Sequence, residues 1–240
     1  MTGVVFWDFD GTLGYRGRGG ARLGFSTCLV EVMDAHQPGH GIDRRAFHPF
    51  LQSGFPWHAP DMTHLHLCEP DDWWDALNPV FAKALEGVGI ETQLATQLSA
   101  NVRARYADPR EWALYDDVLP VFARLRDAGW HHVIVSNHVP ELPAIASGLG
   151  LDDLVDAVHT SGVTGYEKPH PEMYAIARRG AGDPERVWMV GDNIVADYEG
   201  AERVGIDAIL VRHPDPGERR AAPDLWEAAE LIDAASGIRP

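Results

Sequence analysis

Apolar residues gather close to the start of the chain. Val4–Asp8 lies in VVFWDFDGT, a short run with β-branched and aromatic residues that ends in acids, and it predicts a buried strand. Gly14–Gly20, rich in Gly and Arg, reads as a loop. From about Ala21 to Asp108 the spacing is helical. Phe25, Leu29, Val32 and Met33 recur at helical intervals. So do Trp73, Trp74, Leu77, Val80, Phe81 and Leu85, behind the acidic start Glu69-Pro70-Asp71-Asp72 that suits a helix N-terminus. Glu91–Tyr106 predicts another helix, and Gly54–Cys68, rich in Pro, His and Gly, predicts a loop.

From Tyr115 the pattern alternates. Helices are predicted over Asp117–Ala128, Val139–Leu149, Glu172–Gly180 and Asn193–Val204. Strands are predicted over His132–Val135, Leu154–Thr160, Val187–Val190 and Ala208–Val211. Strands separated by helices imply an α/β fold, a doubly wound parallel sheet with helices on both faces. An all-helical insertion follows the first strand. The boundaries drawn are residues 1–14 and 113–240 for the core and 15–112 for the insertion.

Composition narrows the setting. The 240 residues carry a formal net charge of -16, which disfavours nucleic acid and anionic membranes as partners. No apolar run is long enough to span a bilayer. The start, MTGVVFWDFD, has no basic region of a signal peptide, and the two cysteines, Cys28 and Cys68, form no disulfide framework, so a cytoplasmic protein is expected. Lys83 and Lys168 are the only lysines, a bias that either a GC-rich genome or adaptation to high salt produces. The rarity makes Lys168 informative.

Candidate chemistry falls at the carboxyl ends of predicted strands, where open parallel sheets bind ligands. Asp8 and Asp10 end the first strand. Two carboxylates so close repel unless a cation or proton joins them. One can attack phosphorus, and the other can protonate the leaving oxygen and later activate water. Gly11 allows a sharp turn that brings backbone N–H groups toward phosphoryl oxygens. A plain Asx turn is the competing reading. Ser136 ends the next core strand, as either a phosphate ligand or a helix cap. Lys168 precedes Pro169, as either a phosphate-binding charge or a surface lysine. Asp192 and Asp197, with Asp8, supply hard oxygen ligands suited to Mg²⁺, although Asp192 also suits a helix cap.

Taken in order, Asp8-Phe9-Asp10-Gly11-Thr12, Ser136, Lys168-Pro169 and Gly191-Asp192-Asn193 with Asp197 resemble the four motifs of the haloacid dehalogenase superfamily. The resemblance covers the whole core and places residues 15–112 where that superfamily carries a helical cap. It implies a Rossmann-like core and a Mg²⁺-dependent phosphatase acting on a small phosphorylated metabolite through an aspartyl-phosphate. It implies Asp8 as nucleophile, Asp10 as general acid and base, and Lys168 as the group that steadies the phosphoryl group and Asp8. Mg²⁺ would be held by Asp8, Asp192 and the backbone carbonyl of Asp10. Gly11, Thr12, Ser136, Asn137 and Lys168 would bind the phosphate, with Asn193 and Asp197 in support. Asp10 argues against the dehalogenases and the phosphonate-cleaving branch, which lack an acid there.

The insertion matches no particular member. Arg16, Arg18, Arg22, Arg44 and Arg45 are candidates to meet a substrate anion or are solvated surface groups. Trp57, Trp73 and Trp74 are candidates for a pocket wall, the last two for helical core. The run His58, His64, His66 and Cys68 reads as loop residues or, since 64, 66 and 68 alternate, as three zinc ligands on one face of an extended segment. The other readings of the whole are a sugar phosphomutase on the same core and a non-catalytic binding protein. A monomer or homodimer is expected.

Overall fold

The computed structural model describes residues 3–17 and 24–236. Strand β1 (Gly3–Trp7) is buried along its whole length. Its alternate residues serve two layers. Val5 and Trp7 pack with Ile134, Val190 and Ile209, and Val4 and Phe6 pack with Val133, Met189 and Ala208. Burial on both faces explains why this strand reads as an unbroken apolar run.

A short strand β2 (Gly14–Arg16) follows, then the insertion, with α1 (Phe25–His36), α2 (Pro70–Gly87), α3 (Thr92–Ser99) and α4 (Val102–Tyr106) joined by turns. Strand β3 (Trp112–Leu114) pairs antiparallel with β2 where the chain returns, Arg16 opposite Trp112. The core then resumes with α5 (Val118–Asp127), β4 (Trp130–Ser136), α6 (Leu142–Gly148), β5 (Ala157–Thr160), α7 (Ser161–Thr164) and α8 (Pro171–Gly180). It closes with β6 (Val187–Gly191), a π-helical turn at Ile194–Glu199, α9 (Gly200–Arg203), β7 (Asp207–Val211), β8 (Ala221–Ala222) and α10 (Leu225–Ser236).

The main sheet has the order β5-β4-β1-β6-β7-β8, and all its pairs are parallel. The chain leaves β1 for β4 on one side and later returns to β6 on the other. The switch point therefore lies at β1, and the crevice outside its carboxyl end is where this architecture binds ligands. No helix among the described residues is long and apolar enough to cross a membrane.

Between Phe25 and Glu111 the described residues hold helices and turns and no strand. Phe25, Leu29, Val32 and Met33 are buried, as are Trp73, Trp74, Leu77, Phe81 and Leu85, which makes the helical spacing of the sequence the inner face of the insertion. Several expectations shift. Gly14–Arg16 is a strand rather than loop, because Tyr15 and its neighbours pair with Trp112–Leu114, nearly a hundred residues away in sequence. The helix expected from Val139 begins only at Leu142. Pro140 has no N–H to give, and the carbonyls of His138 and Val139 accept from Thr160. The strand expected from Leu154 begins at Ala157, since the N–H groups of Leu154 and Val155 both turn back to Leu151. The helix expected over Asn193–Val204 opens as a π turn, with the amides of both Asp197 and Tyr198 reaching Asn193 O.

Candidate active site

The segment after β1 folds back on itself. The amides of Thr12, Leu13 and Gly14 all donate to Phe9 O, and Gly11, at φ +88°, donates to Gly14 O. A positive φ is open to glycine at little cost, which explains the glycine after Asp10. This loop leaves Asp8 buried at the strand end, its amide on Val190 O at 2.9 Å, and Asp10 exposed at the mouth of a cavity that both aspartates line. Two expectations change here. The Gly11 amide points to Gly14 O rather than to a ligand, and the Thr12 hydroxyl is fully buried away from the cavity.

Asp8 is the centre of a compact network. Ser136, at the end of β4, donates its hydroxyl to Asp8 Oδ1 at 2.8 Å. The Lys168 ammonium reaches the same oxygen at 2.8 Å and Asp197 Oδ1 at 2.5 Å. Burial alone would lower this ammonium, but the carboxylates of Asp197 and Asp8 overcome it and hold its pKa above the ordinary lysine value. Asp197 is anchored from its other side, Oδ2 accepting the Asn193 amide at 2.9 Å. The Asn193 side chain caps the turn that carries Asp197 by accepting from the amides of Val195 and Ala196. Asn137 lines the same cavity. Its amide group clamps the backbone of Lys168, donating to Lys168 O at 2.8 Å and accepting from Lys168 N at 2.6 Å. Ser136-Asn137 thus holds both the nucleophile candidate and the lysine that faces it.

The carboxylates of Asp8, Asp192 and Asp197 offer oxygens within 4.8 Å of one another, and among the described residues they form the one group disposed to hold a metal ion. Three carboxylates against the Lys168 ammonium leave two negative charges, which a divalent cation would balance, and an all-oxygen donor set suits Mg²⁺. Asp197 is also held by the Lys168 ammonium and the Asn193 amide. His64, His66 and Cys68 form no such group, because Leu65–Leu67 is a 3₁₀ turn and not extended. Alternate residues on a turn of three per cycle point in different directions.

The cavity, about 520 Å³, lies between the strand ends and the insertion. Its core side presents Asp8, Asp10, Ser136, Lys168 and Asp192, and its insertion side presents Phe25, Trp57 and Tyr106. Trp73 and Trp74 are core, as their helical spacing indicates. Arg16 meets neither substrate nor solvent. It is buried against Glu31 at 2.6 Å and donates to Arg105 O, tying β2 to α1 and α4. Arg44 and Arg45 are exposed, and Arg18 and Arg22 lie outside the described residues. Sequence reasoning missed the part of Tyr106, whose signal was only its place at the end of a helical pattern. It named Gly191 in the fourth motif without the reason for it, which is that its missing side chain leaves room for Asp197.

A family model described as haloacid dehalogenase-like hydrolase matches residues 2–205. The chain is 31% identical over 192 residues to haloacid dehalogenase-like hydrolase domain-containing protein 3 of Homo sapiens, covering 75% of each chain. It is 42% identical over 213 residues to a glyceraldehyde 3-phosphate phosphatase of Methanothermobacter thermautotrophicus, covering 88% of this chain and 86% of that one. In structure it resembles the 2-haloacid dehalogenase of Pseudomonas syringae pv. Tomato DC3000, with a TM-score of 0.67 over 98% of this chain and 100% of that one, at 20% identity.

Proposed function

The chain belongs to the haloacid dehalogenase-like hydrolases, and from that membership we propose that it is a phosphatase acting on a small phosphate monoester, with Asp8 as nucleophile and Mg²⁺ as cofactor. The observation that carries this reading is the convergence of Ser136 and Lys168 on one oxygen of Asp8, with Asp10 at the mouth of the same cavity. The phosphatase activity in the name of the Methanothermobacter relative supports it. So does Asp10, since displacing a halide calls for no proton donor whereas freeing an alcohol does.

Asp8 attacks phosphorus, the bond to the substrate alcohol breaks, and Asp10 protonates the departing oxygen. The phosphoryl group is then carried by Asp8 as an acyl phosphate. Asp10, now a carboxylate, takes a proton from water, the water oxygen bonds to phosphorus, and Asp8 is released with free phosphate. Lys168 offsets charge on Asp8 and on the phosphoryl oxygens, and Ser136 orients them. Mg²⁺, held by Asp8, Asp192 and the backbone carbonyl of Asp10, would neutralise phosphoryl charge. Residues 15–112 act as the cap, supplying the aromatic side of the cavity.

The two aspartates should fail differently. With p-nitrophenyl phosphate, Asp8→Asn should fall to background turnover. Asp10→Asn should lose about 10²–10⁴-fold in steady-state rate yet accumulate a phosphoenzyme, since nitrophenolate departs without a proton. Mass spectrometry of the peptide carrying residues 1–16 should find phosphate on Asp8, and excess EDTA should abolish turnover. Phosphate on Ser136 or on a histidine, or full activity in EDTA, refutes the assignment.

A further inference from the structure

We propose that the insertion selects phosphate monoesters whose alcohol carries a flat aromatic ring. The proposal rests on the phosphatase reading above and names the substrate class for that site.

Four rings from three segments lie near-parallel and in mutual contact, Phe25 also meeting Trp57 directly with centroids 6.2 Å and planes 3° apart. Tyr106 lies on Phe25 with centroids 4.2 Å apart and planes 19° apart, Phe25 on Phe55 at 5.3 Å and 15°, and Phe55 on Trp57 at 4.7 Å and 14°. Three of the four, Tyr106, Phe25 and Trp57, form the cavity wall facing the aspartates. The stack is braced from behind, Phe81 meeting Phe25 at 5.0 Å and Trp73 meeting Trp57 at 6.3 Å. Trp57 sits on a short turn and keeps part of its surface uncovered, whereas Trp73 and Trp74 are fully buried. A rigid, partly open ring stack is a surface on which one more planar ring can be laid at little ordering cost.

Phosphate release from Mg²⁺-loaded full-length protein tests this with matched alcohols. Benzyl phosphate and cyclohexylmethyl phosphate differ in flatness but hardly in leaving-group strength. The benzyl ester should be favoured in kcat/KM by about 5- to 100-fold, the range that stacking of a base on an aromatic side chain provides. Trp57→Leu should collapse that ratio, mainly through KM, and Trp57→Phe should keep most of it, with circular dichroism confirming the fold of each. A nucleoside 5′-monophosphate surpassing benzyl phosphate would identify the ring as a nucleobase held across a sugar, and the reverse order would identify an aryl group near the ester. Either order supports the proposal. Equal rates for the flat and puckered esters, or an unchanged ratio in Trp57→Leu, overturns it while the phosphatase reading stands. No release from any of these esters, or from p-nitrophenyl phosphate, overturns both.

Discussion

A Cβ placed on Gly191 would come within 2.2 Å of the Asp197 carboxyl carbon and 2.3 Å of its Oδ2. The carboxylate would have to move, and with it the contact at 2.5 Å that holds the Lys168 ammonium against Asp8. Displacements of about 1 Å in a reactive network cost on the order of 10²-fold in rate. Gly191→Ala is therefore expected to lower kcat/KM for p-nitrophenyl phosphate by about that factor while circular dichroism stays native. Near-normal turnover would show that the placement of Asp197 does not matter to the reaction. At this scale the sequence spoke clearly about Asp8 and Lys168, the one through its strand-end acids and the other through the scarcity of lysine. It could not say that the Asn137 side chain serves the Lys168 backbone, because that contact spans 31 positions and carries no local pattern.

Strand β4 and helix α5 meet through a histidine rather than through apolar groups alone. His132 is fully buried, stacked on Phe122 at 4.3 Å, with the Trp7 indole N–H donating to Nδ1. Nε2 then carries the proton and donates to Phe122 O at 3.0 Å. Burial pushes this imidazole down from its ordinary 6.5 to about 4, the Phe122 carbonyl only partly opposing it. Between those two values the unfolded chain holds a proton that the folded protein refuses, so the stabilisation is complete above pH 6.5 and is lost as pH falls toward 4. The loss amounts to about 2 kcal/mol by pH 5. Urea unfolding at pH 7 and pH 5 should show it, and His132→Gln should flatten the difference by about that amount. An equal pH dependence in the variant would assign the effect to other groups. Helix α10 went unpredicted although Leu225, Ala228, Ala229 and Ile232 are spaced as one buried face. That omission lay in the reading of the sequence, whereas β2 and β3 are too short for any period to declare them.

Across the whole molecule, 36 acidic residues oppose 20 basic ones. Such an excess repels itself in the folded state, and salt shortens the range of that repulsion from about 10 Å at 0.1 M to 3 Å at 1 M. Raising NaCl across that interval should increase Tm by about 2–4 °C, the shift that ~1 kcal/mol produces in a domain of this size. A flat or falling Tm would mean that the acidic surface is already locally compensated, as in the Arg219–Glu199 and Arg212–Asp117 pairs. The two parts of the fold are fastened by specific contacts. Arg103 of α4 reaches Glu141 at 2.8 Å, and the Trp74 indole of α2 donates to that same carboxylate.

The alternation of helix and strand after Tyr115, the helical insertion before it and the strand-end acids all follow from local pattern. A buried parallel strand must be continuously apolar, and a helix packed on one side must repeat every three to four residues, so each element writes its environment into its own sequence. The candidates Asp8, Ser136 and Asp192 stood out for the same reason, since each stands where an apolar run stops, whereas Lys168 stood out because lysine is scarce. What only the tertiary structure decided is who meets whom. The register of β1 with β4 and β6 places Asp8, Ser136 and Asp192 at one sheet edge. Folding of the insertion brings Phe25, Trp57 and Tyr106 into one wall opposite them. Phe25 and Tyr106 looked like ordinary helical core in the sequence, and Trp57 was a pocket-wall candidate only alongside Trp73 and Trp74, which are core, because an aromatic residue carries the same signal whether its last exposed edge faces solvent, a neighbour or a substrate.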